Sequence, residues 1–355
     1  METEREKARR VTLAVRIGGQ EATGIMPTLV EFGFTDNAHG KADEVQIVLH
    51  NRDGAWTGAS CPKKGTEITA TLLCHDWEET GQTLSLPCGR FKVDEVEFSG
   101  PPDKISIKAV SASLTNGLRD TPRTRGWENT SLRAVAAQVA GENGLALHYE
   151  GTAHPLQRLD QRNESDLTMI CRLAHERAMH CKVHDGKLVL FDAETAEGQG
   201  AMLSIPRTGN MYSPKRYSFR DASAGTRYTH AEVAYTDPKT GTTHTATATA
   251  KVGDGEGIKG LTLDQRVETS SEAIRLGRAR LHNANAGEQT ASVECMGCPY
   301  MTAGRTIELL DFGKFSGRYF IKTATHRVAG GQAYTTALEL TKGAPTSGGS
   351  ASDEV

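Results

Sequence analysis

No stretch of the 355 residues approaches the ~18 consecutive apolar residues that a membrane-spanning helix needs, so membrane insertion is not expected. A secretory leader is not expected either. The opening METEREKARR is charged and no apolar run follows it. Charge of one sign is not in excess: 41 Lys and Arg face 44 Asp and Glu, a net −3. No basic patch is interleaved with aromatics, so the footprint of a nucleic-acid binder is absent and sequence-specific nucleic acid is excluded as a partner. The seven cysteines are few, odd in number and scattered over Cys61, Cys74, Cys88, Cys171, Cys181, Cys295 and Cys298. In a chain of this length without a leader they read as reduced thiols made in a cytoplasm.

Catalytic signatures are missing too. The stretch LTMICRLAHERAMHCKVHDGKLVLFD crowds histidines and cysteines together, but zinc proteases need His-Glu-x-x-His on one helical face. Here His180 follows His175 by five residues, about 500° of rotation at roughly 3.6 residues per turn, so the rings diverge. His175 and His180 are instead expected at the C-terminal end of a helix, where imidazolium suits the dipole, with His184 flanking a turn. CMGCP, with Cys295 and Cys298, has metal-like spacing, yet no second Cys-x-x-Cys completes a four-ligand site and no βαβ context suggests a redox motif; it reads as a strand–strand turn. The glycine-rich GGQEATG and GDGEGIKG lack P-loop and dinucleotide spacing and read as loops. No Gly-x-Ser-x-Gly elbow occurs. The chain therefore reads as non-enzymatic, with no catalytic, cofactor-binding or metal residues assigned and no cofactor expected.

What is abundant is glycine (37 residues) and threonine, which favour turns and strands. The first third alternates with period two in VTLAVRI, EVQIVLH, TEITATLL and DKISIKA, predicting an antiparallel sheet with one buried face. After RDTPRTRGW the texture changes. Leu132, Val135, Ala136 and Val139 are spaced for a helix capped by Asn129 or Thr130 and ended by Gly144. A second helix, with Leu167, Ile170, Cys171 and Ala174 on one face, takes Ser165 as N-cap, and Asp185-Gly186 then signals a hairpin. From about residue 212 strands return around the turn DPKTG. Thr269 with Glu272 forms a capping box for a helix closed by Gly287, and three further strands follow. APTSGGSASDEV is expected to be a disordered tail.

One repeat organises the chain. KGTEITA followed by CGRFKVDEVEFSG reappears as AGRTIEL followed by SGRYFIKTATHRVAGG. Gly65 and Ile68 match Gly304 and Ile307, and Gly89-Arg90-Phe91 matches Gly317-Arg318-Tyr319, although the glycines lie 24 residues apart in one copy and 13 in the other. The predicted fold is mainly β (α+β): two related antiparallel β-barrels with an inserted helix-containing α+β region. The expected boundaries are 1–118 for the first barrel, 119–207 for the insert, 208–343 for the second barrel with one capping helix, and 344–355 for the tail.

The order of elements resembles the late control protein D family, the central baseplate hub of contractile phage tails, and the hub module of type VI valine-glycine repeat spikes. The likeness is carried by KADEVQIVLHNRDGAW, by NESDLTMICRLAHERAMHCKVHDGKLVLFD, and by the run from VETSSEAIRLGRARLHNANAG to GGQAYTTALEL. The cysteines of CMGCP depart from the family's turn, and HTATATAKVGDGEGIKG matches nothing in it. The resemblance implies tube-type barrels and a structural homotrimer joining a six-fold tail tube to a three-fold spike. Its implied partners are copies of itself, the spike protein, the tube protein, and baseplate wedge, sheath-initiator or tape-measure proteins. Its implied location is the virion tail baseplate, after assembly in a bacterial host cytoplasm. With no room after residue 343 for an OB-fold and needle, the spike is expected to be a separate polypeptide. Thr/Ala alternation in TTHTATATA is weakly specified for either face and suits an edge or inter-subunit strand. A rival reading rests on TSLRAVAAQVAGENGL, which resembles the first helix of a lysin motif and would make the chain a peptidoglycan-binding tail-associated protein. The second helix of that module does not follow, as HYEGTAHPLQRLDQ is polar.

Overall fold

The computed structural model describes residues 8–58, 60–111, 117–222, 228–236, 241, 243–249, 260–263, 267, 270–330 and 333–342. The DPKTG turn, most of GDGEGIKG, Thr269 of the capping box and the 344–355 tail lie outside the described residues.

The first half comprises β1 (Arg10–Ile17), β2 (Gln20–Glu21), one-turn α1 (Ile25–Thr28), β3 (Leu29–Asn37), β4 (Glu44–His50), β5 (Glu67–His75), β6 (Thr83–Ser99) and β7 (Lys104–Ser111). The insert follows with β8 (Pro122–Ser131), α2 (Leu132–Glu142), β9 (Ala146–Glu150), β10 (Pro155–Ser165), α3 (Asp166–His175), β11 (Met179–His184), β12 (Lys187–Asp192) and α4 (Ala193–Gly198). The second half holds β13 (Ser204–Pro206), β14 (Arg216–Asp221), β15 (His230–Thr236), β16 (Thr243–Thr249), β17 (Gly260–Leu263), α5 (Ser270–Asn285), β18 (Gln289–Met296), β19 (Thr306–Leu310), β20 (Gly317–Ala329) and β21 (Ala333–Thr341).

The alternating runs become strands with the expected inward faces. Val11, Leu13 and Val15, then Val45, Ile47 and Leu49, then Ile105, Ile107 and Ala109 all enter one core with Phe32, Phe34 and Phe91. A second core lies in the insert under α2 and α3, and a third gathers Tyr319, Ile321, Leu338 and Leu340 in the second half.

The two closed barrels are not there. Among the described residues no sheet returns on itself; both halves instead belong to one open sheet, in the order β14-β18-β21-β20-β3-β4-β7-β6-β5-β1-β2, with β13 and β19 attached beside β20. The reason lies in the length of β20. Its start pairs with β19, but past a register shift between Ile321 and Thr323 the strand leans to the other half, and Thr323–Ala329 pairs with β3 from Asn37 to Glu31. The edge that would have sealed each sheet is thereby spent on joining the two.

Local corrections are smaller. Ser131, not Asn129 or Thr130, caps α2 by accepting from the Ala134 N–H, while Ser165 caps α3 as expected. On α3, Met169 and Leu173 are buried with Ile170 and Ala174, and Leu167 and Cys171 flank them. Gly144 takes the left-handed conformation (φ +69°) but Gly287 does not. The alternation in TTHTATATA is specified after all: Ala246 and Ala248 are buried, and Thr245, Thr247 and Thr249 beside them are exposed. A Cβ added to Gly277 of α5 would lie 3.0 Å from that of Ala248, which fixes how closely the helix approaches β16. β16 is an edge strand of its small sheet, in the order β16-β15-β17.

Candidate functional site

The sequence repeat is repeated in hydrogen bonds. Ile68 is the partner of Phe91 across β5 and β6, and Ile307 is the partner of Tyr319 across β19 and β20. Gly65 N–H donates to Val93 O (2.7 Å) and Val93 N–H to Thr66 O (2.9 Å). In the second half, Gly304 N–H donates to Ile321 O (2.9 Å) and Ile321 N–H to Arg305 O (2.8 Å). Gly65 and Gly304 share a left-handed φ of +81° and +86°, a conformation open to glycine at little cost. Each unit then shifts register two residues after its aromatic, between Val93 and Glu95 and between Ile321 and Thr323. The unequal spacing has a simple source. β5 and β6 extend as a long hairpin reaching His75 and Thr83, whereas β19 and β20 are joined through a single turn at Gly313–Phe315.

Where the halves meet, β20 and β3 make a packed seam. His326 stacks on Phe34 with ring centroids 5.9 Å apart, and its Nδ1 lies 2.7 Å from the Tyr334 hydroxyl. Burial pushes the His326 ring down to about 4, so it sits in the seam as neutral imidazole. Arg327 reaches Glu31 across the same pair of strands at 3.1 Å.

The insert is clasped onto this seam by charge. Lys182 of β11 donates to Asp36 Oδ1 (2.7 Å) and to Asn37 O (3.0 Å), with Asp43 at 3.7 Å. Asp36 Oδ2 accepts from Ala303 N–H at 2.8 Å, so one carboxylate touches all three parts of the chain. Burial opposes the Lys182 charge, but attraction to Asp36 and Asp43 outweighs it and the ammonium pKa is raised. Asp36 is raised as well, chiefly by its own burial, with Asp43 adding and Lys182 opposing. His184 Nδ1 lies 2.7 Å from Asp43 Oδ2. At the hairpin tip Asp185 bonds Arg90 (3.2 Å), which brings the repeat's Gly-Arg-aromatic step against the predicted Asp185-Gly186 turn.

The histidines of the LTMICRLAHERAMHCKVHDGKLVLFD stretch are divided. His175 ends α3, and burial lowers its pKa, against the expected imidazolium. His180 is not helical; it lies on β11, sandwiched between His39 (4.4 Å) and Phe320 (5.0 Å). Beside it the Glu197 carboxylate lies 3.4 Å from His282 Nε2 and 3.8 Å from His180 Nε2. Burial would raise Glu197, but these two imidazoles hold it at about 2. Among the described residues no group of three or more His, Cys, Asp or Glu is arranged to hold a metal ion. Cys295 and Cys298 are fully buried beside Thr336, with burial pushing their thiols up to about 12 and about 11. They fill the core at a strand–strand turn.

Sequence reasoning missed the Asp36, Asp43 and Lys182 clasp and the His39, Glu197 and His282 group. Lys182 lies more than a hundred residues from Asp36 and Asp43, as does His39 from Glu197 and His282, and neither group has a motif spacing. The one signal was β11 itself, where His180, Lys182 and His184 share the face opposite the buried Met179, Cys181 and Val183.

The geometry is that of two equivalent sheet units carrying a docked insert, with strand edges left open among the described residues. A family model described as Phage tail baseplate hub (GPD) matches residues 106–332, and the chain belongs to that family. Membership places it among the structural proteins of the phage tail baseplate. The probable baseplate hub protein of Escherichia phage P2 is 30% identical over 237 residues, 63% of this chain and 56% of that protein. The match thus spans little more than half of that relative's length. Two solved structures share the fold. The tail protein from Neisseria meningitidis MC58 has a TM-score of 0.68 at 12% identity, covering 94% of this chain and 96% of its own. The 43 kDa tail protein of prophage MuSo2 from Shewanella oneidensis has a TM-score of 0.68 at 15% identity, covering 94% and 98%.

Proposed function

We propose that three copies of this chain form the structural hub of a contractile tail baseplate, an adaptor that meets a six-fold tail tube on one side and a three-fold spike on the other. The observation that carries this reading is the internal repeat, matched hydrogen bond for hydrogen bond at Gly65–Val93 and Gly304–Ile321. A ring of three chains with two equivalent units each offers six similar surfaces while keeping three-fold symmetry. The domain division of 1–118, 119–207 and 208–343 belongs to the same proposal, with the insert placed outside the ring, towards the spike or surrounding baseplate. Light scattering of the purified chain at micromolar concentration, alone and mixed with its spike protein, is expected to give a trimer mass. A stable monomer in both conditions would overturn the reading.

A further inference from the structure

Two cysteines meet inside the insert. Helix α3 ends at His175, and the chain turns back through Ala178, which takes the left-handed conformation (φ +51°), into β11. The turn lays β11 against the helix it has just left, so that Cys181 returns to Cys171. The two thiols are hydrogen-bonded to each other, and both residues pack in the insert's core.

The pair differs in access. Cys181 is only 3% exposed, whereas Cys171 is half-buried, and both line a cavity of about 410 Å³ together with His39, His175 and Lys322. At Cys171 the hydrogen bond from Cys181 outweighs burial and the thiol pKa is lowered. At Cys181 that same hydrogen bond and burial both act upward, and the pKa rises well above the ordinary thiol value. One thiol is thus reachable and inclined to ionise, and its neighbour is sheltered and protonated, the division between an attacking and a resolving cysteine. The other thiols are placed differently. Cys74, Cys88, Cys295 and Cys298 have no exposed surface, and burial raises all four. Cys61 is half-buried, with its thiol turned to Pro62 O at 3.9 Å.

We propose that Cys171 and Cys181 close to a disulfide when the protein passes from a reducing cytoplasm to an oxidising medium, stapling α3 to β11. A virion protein makes that passage, because it is synthesised among reduced thiols and leaves the cell with the particle. The oxidant is a low-molecular-weight disulfide such as oxidised glutathione. The Cys171 thiolate attacks one of its sulfurs, the small S–S bond breaks, and the departing thiolate takes up the proton that Cys171 gave up. A mixed disulfide now stands at Cys171, beside the cavity. Cys181 then attacks the Cys171 sulfur; the Cys171–Cys181 bond forms, the mixed bond breaks, and the second small thiol leaves with the Cys181 proton. Two protein thiols are oxidised and one small disulfide is reduced to two thiols.

The bond matters because of what β11 carries. Lys182, which clasps Asp36, follows directly on Cys181, and the Cys181 carbonyl accepts from Gly40 N–H at 3.1 Å. Fixing β11 to α3 therefore ties the strand that docks the insert on the first half covalently to the insert's own core. The proposal does not depend on the number of copies in the assembly.

The test uses the full chain, purified in reductant and then exposed to oxidised glutathione under native conditions. Trypsin cuts after Arg172, Arg177 and Lys182, so the two cysteines fall in separate peptides, 163–172 and 178–182. After free thiols are alkylated, these peptides are expected as one linked species that reductant separates. The oxidised chain is expected to unfold in urea at a midpoint on the order of 1 M above that of the reduced chain, a shift that dithiothreitol abolishes. Cys181→Ala should retain glutathione on Cys171 as a mixed disulfide, and Cys171→Ala should leave Cys181 a free thiol. Should either variant fail to fold, the peptide map of the parent chain decides alone. A native parent chain whose 163–172 peptide stays free or keeps glutathione overturns the proposal. So does a linkage that forms only in urea, or a linked chain whose unfolding midpoint does not move.

Discussion

A single buried imidazole links the seam to pH. His326 is fully enclosed between Phe34 and Tyr334, and burial depresses its ring from the ordinary 6.5 to about 4. The unfolded chain takes up this proton as pH falls through about 6.5, whereas the folded chain resists until about 4. A group depressed on folding gives its full contribution above the unfolded value and loses it as pH drops towards the folded one. At about 1.4 kcal/mol per unit, His326 alone removes about 3 kcal/mol of stability across that window. His39, lowered to about 3, and His154, lowered to about 4, act with the same sign, also chiefly through burial. Urea unfolding followed between pH 7.5 and 4 is therefore expected to show a steep acid limb that is shallower in His326→Gln. An unchanged slope in that variant would show that the ring is protonated in the folded protein. The comparison uses the slope, not the midpoint at neutral pH, since the variant also alters packing against Phe34.

At the scale of elements, the insert is held by few contacts of high value. Lys182 is nearly buried and faces two carboxylates, so Lys182→Met strands Asp36 and Asp43 together in a low-dielectric site. Removing one partner of a buried ion pair typically costs about 3–5 kcal/mol. Thermal or urea unfolding of this variant should show a loss of that order, whereas Arg90→Ala, which breaks an exposed pair with Asp185, should change stability by less than about 1 kcal/mol. Equal effects would mean that the clasp contributes only surface electrostatics. The same elements mark what could be read from the chain. Alternation placed Val11, Leu13 and Val15 on the core side of β1 because period two is a local property of the strand. Gly-Arg-aromatic at 89–91 and 317–319 was legible as a repeat because the left-handed glycines and their aromatic partners recur in sequence. Closure was not legible. Whether β20 seals its own half or reaches β3 depends on a register shift at Lys322 and on packing around His326, neither of which leaves a spacing in the sequence. The clasp was hidden for the same reason: Asp36 and Lys182 are brought together by tertiary packing alone.

For the whole molecule, the repeat makes charge on the outer strands a matter of assembly rather than of folding. Glu97 stands on the stretch of β6 that pairs with β7 alone among the described strands and Arg220 on the terminal strand β14, so a single chain folds without bringing them together. In the proposed ring of three chains, pairing of β14 of one copy with residues 95–99 of β6 in the next, in the register that β20 and β3 show within the chain, would set them opposite each other three times. Glu97→Arg then places like charges opposite each other at every seam, as does Arg220→Glu. Cross-strand pairs contribute roughly 0.2–1 kcal/mol each and like charges are repulsive by similar amounts, so each variant should weaken a seam by about 1 kcal/mol, on the order of fivefold. Three seams act together, and the trimer should dissociate at appreciably higher protein concentration than the parent. The double variant restores the attraction with its direction reversed, and its dissociation should return towards that of the parent. Raising salt should narrow the differences among all four proteins, because exposed charges are screened over a Debye length of about 8 Å at physiological ionic strength. The measurement is the concentration dependence of mass by light scattering at low and high salt. Two weakened single variants with no recovery in the double would mean that residues 97 and 220 each matter without facing one another, and the register assigned to the seam would then be wrong.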